Sequence, residues 1–253
     1  MPMADNIVMS EMSWTEVEDA LKERPVGIVP VGAIEAHGPH LPLVTDTLIA
    51  LEWARRGAAL LKKQHGIHSL ILPPVSFTPS EFAASFAGTL SMPAETTVHL
   101  LRDLAITAGK QVRAVAFANV HFDPAHVEAL KKAVEEAKKA GASCLHVDVT
   151  KKRWADKLGK AFLDGDHAGA FETSCMMAVA PQMVRERERI SLAPMDGLMG
   201  AMKKGAKTFA EAGGEDAYFG DPTAASAEDG ETALKAMAEI LVLSVVEHLG
   251  SKA

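Results

Sequence analysis

Short apolar runs alternate with longer amphipathic segments between residues 26 and 149. The apolar runs have the length and composition of β-strands, and they predict four strands: Val26–Ala33, Ser69–Phe77, Val112–His121 and Ser143–Val149. The intervening segments have apolar residues at helical spacing and predict helices over 47–63, 94–109 and 124–140. Strands that alternate with such helices favour a mainly parallel sheet covered on both faces, and therefore an α/β fold.

The pattern changes at the two ends of the chain. Ser13-Trp-Thr-Glu16 has the form of a capping box and predicts a helix from Trp14 to Lys22. Residues 151–220 are irregular and rich in Gly, Met and charge, and a final helix is predicted over 230–249. The sequence contains no repeat and no linker, and 253 residues suffice for one large core. We therefore expect a single domain over residues 1–253.

Composition and charge exclude several classes of protein. A net charge of −7 argues against a nucleic-acid partner or an anionic membrane surface, both of which require a basic face. No apolar run approaches the roughly 20 residues of a membrane span, and the first residues lack signal-peptide features. Cys144 and Cys175 have no metal-binding spacing, which indicates reduced thiols. We expect a cytoplasmic protein whose metal ligands, if any, are nitrogen and oxygen atoms.

Acidic and histidine side chains cluster where the predicted strands end. Glu35 and His37 follow the first strand two residues apart, so they project from the same face, and Asp46 comes shortly after. His121 and Asp123 repeat this spacing after the third strand. A further cluster comprises Asp166, His167 and Glu172. Ligands of open parallel sheets lie outside the carboxyl ends of the strands, so these clusters predict a metal or catalytic site.

The order of these motifs resembles the creatininase (creatinine amidohydrolase) family along almost the whole chain. The matching segments are Val31-Gly-Ala-Ile-Glu-Ala-His-Gly-Pro-His-Leu-Pro42 with Asp46, Phe86-Ala-Gly-Thr89, His167-Ala-Gly169 with Glu172-Thr-Ser174, and Gly220-Asp-Pro-Thr-Ala-Ala-Ser-Ala-Glu-Asp-Gly230. The resemblance implies a three-layer α/β/α fold and a two-metal hydrolase, often assembled as a hexamer. We therefore expect a homo-oligomer that acts on a small-molecule substrate.

The resemblance also assigns roles to individual residues. The metal ligands that it implies are Glu35, His37, Asp46, His121 and Glu172. Asp46 matches the bridging carboxylate, with Glu35 and His121 towards one ion and His37 and Glu172 towards the other. His167 matches the histidine that transfers protons. This nitrogen and oxygen donor set fits Zn, Mn, Fe or Co as the two divalent metal ions.

The chain departs from the family pattern near the third strand. Many members have Asn-Gly-His-Gly-Gly-Asn where this chain has Asn119-Val-His-Phe-Asp-Pro124, and creatininase itself has Glu at the position of Asp123. Asp123 is expected to orient His167, to bind substrate or to complete a metal site. The residues expected to form the substrate pocket are Ser80, Phe122, Trp154 and Asp166. We expect His40 to support the site rather than to bind metal.

Three functions are compatible with this site. The leading prediction is hydrolysis of a C–N bond in a small cyclic amide, a formamide or a related substrate. The same activated water could attack a lactone, and a metal-binding assembly protein without catalysis is a third possibility. A dinucleotide-dependent oxidoreductase is disfavoured, because the first strand is not followed by Gly-x-Gly-x-x-Gly.

Overall fold

A four-stranded parallel sheet forms the centre of the protein, with strands in the order Ser69–Ile71, Val26–Val31, Ala114–Asn119 and Cys144–His146 from edge to edge. The computed structural model describes residues 7–154, 157–159, 162 and 166–250. The strands are β1 (Val26–Val31), β2 (Ser69–Ile71), β3 (Ala114–Asn119) and β4 (Cys144–His146). The predicted parallel α/β arrangement is therefore confirmed.

Each strand is shorter than the apolar run that predicts it. The second run extends to residue 77, but β2 ends at Ile71, because Pro73 and Pro74 follow and have no N–H to donate to the sheet. Beyond Ile71, Leu72 N donates to Ile28 O at 2.8 Å, and an isolated bridge from Val75 to Val31 continues this pairing. The shortening leaves longer loops at the carboxyl edge of the sheet than the sequence predicts.

Eight α-helices have bounds within the described chain. They are α1 (Trp14–Leu21), α2 (Thr45–His65), α3 (Ala94–Gly109), α4 (Pro124–Lys139), α5 (Ala170–Val179), α6 (Glu186–Arg189), α7 (Leu198–Lys203) and α8 (Ala227–Gly250). The capping box at Ser13 and Glu16 is formed as predicted. Helix α5 lies in the region predicted to be irregular. Its consecutive residues 171–176 are all buried, so it has no polar face that would reveal a helical period.

The helices cover both faces of the sheet, which confirms the three-layer architecture. Alternate residues of a strand point to opposite faces. In β1, Val26 and Ile28 face the core formed with α2, α5 and α8, whereas Val29 and Val31 face the core formed with α3 and α4. None of the described helices combines the length and apolar character that crossing a bilayer requires.

Candidate metal centre and active site

Strand register brings two of the sequence clusters together at the carboxyl edge of the sheet. Val31 of β1 pairs with Asn119 of β3, so the segments that follow these strands begin side by side. Gly32 permits the close approach of α2, because a Cβ at this position would lie 2.6 Å from the backbone nitrogen of Thr47. This contact places the first turn of α2, with Asp46, beneath the loop that contains Glu35 and His37.

The five residues that the resemblance implies as metal ligands converge in one buried cluster. His37 Nε2 lies 2.9 Å from Asp46 Oδ1 and 3.7 Å from Glu172 Oε2. His121 Nδ1 lies 3.2 Å from Glu35 Oε1 and 3.1 Å from Asp46 Oδ2. All five side chains are at most 7% exposed. Segments separated by more than a hundred residues therefore meet in a single site.

Three histidines of the cluster are oriented in the same way. Each places one ring nitrogen against a backbone carbonyl, and because a carbonyl only accepts, that nitrogen must carry the proton. The pairs are His37 Nδ1 with Glu35 O at 3.0 Å, His121 Nε2 with Pro79 O at 2.7 Å, and His167 Nε2 with Ala36 O at 3.0 Å. The second nitrogen of each ring is left to face the carboxylates, where it can bind a metal or a proton.

The cluster divides into two sets of ligand atoms that share Asp46. One set is Glu35, Asp46 and His121, and the other is His37, Asp46 and Glu172; within each, the ligand atoms lie within 4.8 Å of one another. Among the described residues, Glu35 Oε2 and Asp46 Oδ2 are buried without a hydrogen-bond partner. Buried carboxylate oxygens need such a partner or a cation. The residues present therefore fit two divalent ions, and Asp46 would contribute ligand atoms to both sets.

The buried carboxylates of this site favour positive charge and bound protons on their neighbours. Burial disfavours the charged form of His37, but the nearby Asp46 overcomes this and raises the His37 pKa to about 10. Burial likewise opposes charge on His121, and Glu35 and Asp46 raise its pKa well above the ordinary value. Burial raises the pKa of Glu172 to about 8. Cations are thus favoured at both sets of ligand atoms.

His167 lies between this cluster and the adjacent cavity. Its Nδ1 is 3.9 Å from both Glu35 Oε1 and Glu172 Oε2. Burial, reinforced by the charge of His37, lowers its pKa to about 4. His167 also forms a third possible ligand set with Glu35 and His37. A neutral imidazole with a free Nδ1 in this position can accept a proton or bind a metal.

The cavity has a volume of about 70 Å³, and its lining residues are of two chemical kinds, the polar wall and the apolar wall. The polar wall consists of Glu35, His121, Asp123, Asp166, His167 and Glu172. The other wall consists of Phe82, Val120, Phe122, Pro124, Leu198, Met202 and Phe209. Of this second wall, the sequence predicted only Phe122. Leu198 and Met202 are four residues apart in α7, but a helix of six residues is too short to give a clear periodic signal.

The four predicted substrate residues divide between the cavity and the interior. Phe122 and Asp166 line the cavity. Ser80 lies behind His121, with its Oγ 3.4 Å from His121 Nε2, and does not line the cavity. Trp154 is buried in the core on the α2 side of the sheet, where the guanidinium of Arg153 stacks on its ring at 4.2 Å. Two of these four residues therefore lie where a substrate could contact them.

Two acidic residues of the polar wall bind backbone N–H groups. Asp123 caps α4 by accepting from Ala125 N at 2.9 Å, and its other oxygen accepts from Phe82 N at 3.1 Å. Asp166 accepts from Gly169 N and Phe171 N, each at 3.0 Å, at the start of α5. These bonds engage all four carboxylate oxygens in building the cavity walls. A direct catalytic role for Asp123 stays a prediction.

Comparison with known proteins identifies the family. A family model described as Creatininase: Creatinine amidohydrolase matches residues 10–245. The chain belongs to the creatininase family. It is 32% identical over 232 residues to the mycofactocin precursor peptide peptidase of Mycobacterium ulcerans, covering 88% of this chain and 85% of that protein. It is 26% identical to the creatinine amidohydrolase of Pseudomonas putida, covering 72% and 75%.

The fold agrees with this assignment. A crystal structure of creatininase superimposes with a TM-score of 0.75 at 23% sequence identity, covering 96% of this chain and 98% of that one. As a member of the creatininase family, the chain is a metal-dependent hydrolase that acts on carbon–nitrogen bonds. The predictions of family, fold and reaction class from sequence motifs are therefore confirmed.

Proposed function

We propose that this enzyme uses two divalent ions to hydrolyse an amide bond of a peptide. The observation that carries the two-metal proposal is the pair of buried ligand sets that share Asp46. The peptide substrate is supported by relatives that are 32–33% identical and are named as peptide peptidases, against 26% for the creatinine amidohydrolase. This revises the expectation of a small cyclic amide as the leading substrate.

The proposed ligands are Glu35, Asp46 and His121 for one ion and His37, Asp46 and Glu172 for the other. When bound, such a pair lowers the pKa of a water molecule and polarises the amide carbonyl. The donor set fits Zn, Mn, Fe or Co. Creatininase has been solved in a manganese form, and a variant of it in a zinc–zinc form, which favours Mn and Zn for the first tests.

His167 is proposed to transfer protons. The carbonyl of Ala36 fixes the proton on His167 Nε2, so Nδ1 faces the cavity as an acceptor. From there it can take a proton from the attacking water and deliver it to the leaving nitrogen. The ring of Phe209 lies 4.3 Å from the ring of His167 and shields it from solvent. Shielding strengthens the electrostatic interactions within the site.

A small cyclic amide is the second candidate substrate. The cavity of about 70 Å³ admits only a small group beside the polar wall, and one relative is a creatinine amidohydrolase. A peptide substrate would have to place its scissile amide in the cavity while the rest of the peptide lies outside. The two candidates therefore differ in whether substrate extends beyond the cavity.

A substrate panel separates these proposals. Metal-free protein would be reloaded with Mn²⁺ or Zn²⁺ and incubated with blocked and free peptides, cyclic amides including creatinine, formamides and lactones, with products identified by mass spectrometry. We expect metal-dependent cleavage of peptides that a chelator abolishes. Turnover of cyclic amides or lactones without peptide cleavage would reject the peptide proposal. We also propose a cytoplasmic location. Sedimentation of the same samples tests the proposed homo-oligomer, for which a hexamer is expected from the family resemblance.

A further inference from the structure

We infer that His40 and Thr173 are positioning residues that hold Ala168 in a left-handed conformation and thereby aim the carboxylate of Glu172. This inference rests on the proposed role of Glu172 as a metal ligand. It assigns a function to a histidine of the first motif that belongs to none of the ligand sets. The supporting contacts join the loop after β1 to the start of α5.

His40 connects these two segments from a fully buried position. Its Nε2 lies 2.8 Å from Thr173 Oγ1, across 133 residues of sequence. Burial, with the charges of His37 and Arg189, lowers the pKa of His40 to about 4, so the ring is neutral and carries one N–H. The carbonyl of His40 also accepts a hydrogen bond from Arg185 N at 2.8 Å. His40 is therefore held from both its backbone and its ring.

The hydroxyl of Thr173 gives this contact a direction. Thr173 Oγ1 donates to the carbonyl oxygen of Ala168 at 3.2 Å. A hydroxyl has one proton, so Oγ1 must accept from His40, and the His40 proton lies on Nε2. The Ala168 carbonyl also interacts directly with the His40 imidazole. The chain of donors therefore runs from His40 through Thr173 to Ala168.

Ala168 is the strained residue in this series of hydrogen bonds. Its φ of +51° lies in the left-handed region, which is strained for a residue with a Cβ. Its N–H donates to Glu172 Oε2 at 2.6 Å, and this oxygen is the one that faces His37 Nε2. If the carbonyl of Ala168 were released, the residue could relax to a negative φ, and its N–H would turn away from Glu172. Strain of this kind persists only where surrounding contacts impose it.

Thr173→Val tests this inference because it removes the hydroxyl while keeping the size and branching of the side chain. Thr173→Ser is the matched control, since it keeps the hydroxyl. Calorimetry would measure the binding of Mn²⁺ and of Zn²⁺ to the metal-free wild type, to both variants and to Glu172→Gln. The titration of Glu172→Gln identifies which affinity belongs to the site containing Glu172. Circular dichroism and thermal melting verify the fold of each variant.

We expect Thr173→Val to weaken that one site by about 10–100-fold, the usual effect of losing an outer-sphere partner, and to leave the other site unchanged. Thr173→Ser should bind both ions like wild type. His40→Leu should weaken the same site as Thr173→Val does. His40→Gln, which keeps an N–H donor, should recover most of the affinity of that site. If Thr173→Val fails to fold, Thr173→Ala provides the same comparison without added bulk.

Wild-type affinity at both sites in Thr173→Val, or equal weakening of both sites, would overturn the inference. The second result would indicate a general structural role. Because the readout is metal affinity, it does not depend on the substrate. A protein that binds two ions and shows the expected selective loss, but cleaves no peptide, would reject the proposed peptide substrate and leave the positioning role supported.

Discussion

Residues 26–123 and residues 166–220 both contribute to the site, but the chain builds these contributions in different ways. In the first region, Glu35 and His121 follow parallel strands whose register fixes their relative positions. In the second region, Glu172 lies in a short buried helix that begins after a strained residue, Ala168. Strand geometry positions the first group, whereas a network of hydrogen bonds positions the second.

The same contrast divides the two ligand sets. Glu35, Asp46 and His121 all come from the first region, so this set is complete within the sheet framework. The other set needs Glu172 from the second region in addition to His37 and Asp46. Substitutions in the two regions should therefore affect the two proposed ions differently.

Asp46→Asn should have the largest effect, because Asp46 belongs to both ligand sets. The amide lacks the negative charge and one of the two acceptor oxygens needed to bridge two cations. We expect affinity for both ions to fall by more than the roughly 10–100-fold typical of outer-sphere changes, and turnover to be lost. Elemental analysis of purified protein measures the metal content. Retention of two ions by Asp46→Asn would contradict the bridging role and remove the basis for dividing the ligands in this way.

His121→Gln and Glu172→Gln form a matched pair that separates the two regions. Each should remove one ion and keep the other, since each residue belongs to only one of the two proposed sets. With Mn²⁺ and Zn²⁺ titrations, the two variants should retain different sites. His121→Gln could lose both ions while Glu172→Gln loses only one. This result would mean that the ligand set of the first region must bind its ion before the other ligand set can bind.

The sequence predicts most of the first region and less of the second for a physical reason. Short apolar runs reveal the strands and amphipathic patterns reveal helices with one polar face, so the order of elements and the convergence of Glu35 and His121 could be predicted. Residues 171–176 of helix α5 are all buried, so the helix has no such pattern, and Glu172 stands out only through its cluster with Asp166 and His167 and through its motif. The wall formed by Leu198, Met202 and Phe209 depends on tertiary packing of short irregular segments, which periodicity does not report.

His167→Ala tests the catalytic contribution of the second region without removing a residue of the two proposed ligand sets. Both ions should be retained, while turnover falls by about 10²–10⁴-fold, the usual contribution of one acid–base group. Parallel measurements of metal content and single-turnover rates distinguish the two effects. If one ion is lost together with activity, His167 belongs to the ligand set with Glu35 and His37 instead.

Asp123 should give the smallest effect, although it follows His121 in the first region and lines the cavity. Its oxygens accept from Ala125 N and Phe82 N, so Asp123→Ala should lower the free energy of unfolding by about 0.5–2 kcal/mol, the usual value of a helix cap. Asp123→Asn should recover the capping part of this loss, because Asn caps helices as well as Asp does. Urea denaturation measures both variants. Metal content should stay near wild type in Asp123→Asn, since Asp123 belongs to neither proposed ligand set, and turnover decides whether its carboxylate takes part in the reaction. A hundredfold loss of turnover in Asp123→Asn at unchanged stability would instead make the carboxylate a catalytic group, and would extend the strand-positioned part of the site from metal binding to the reaction itself.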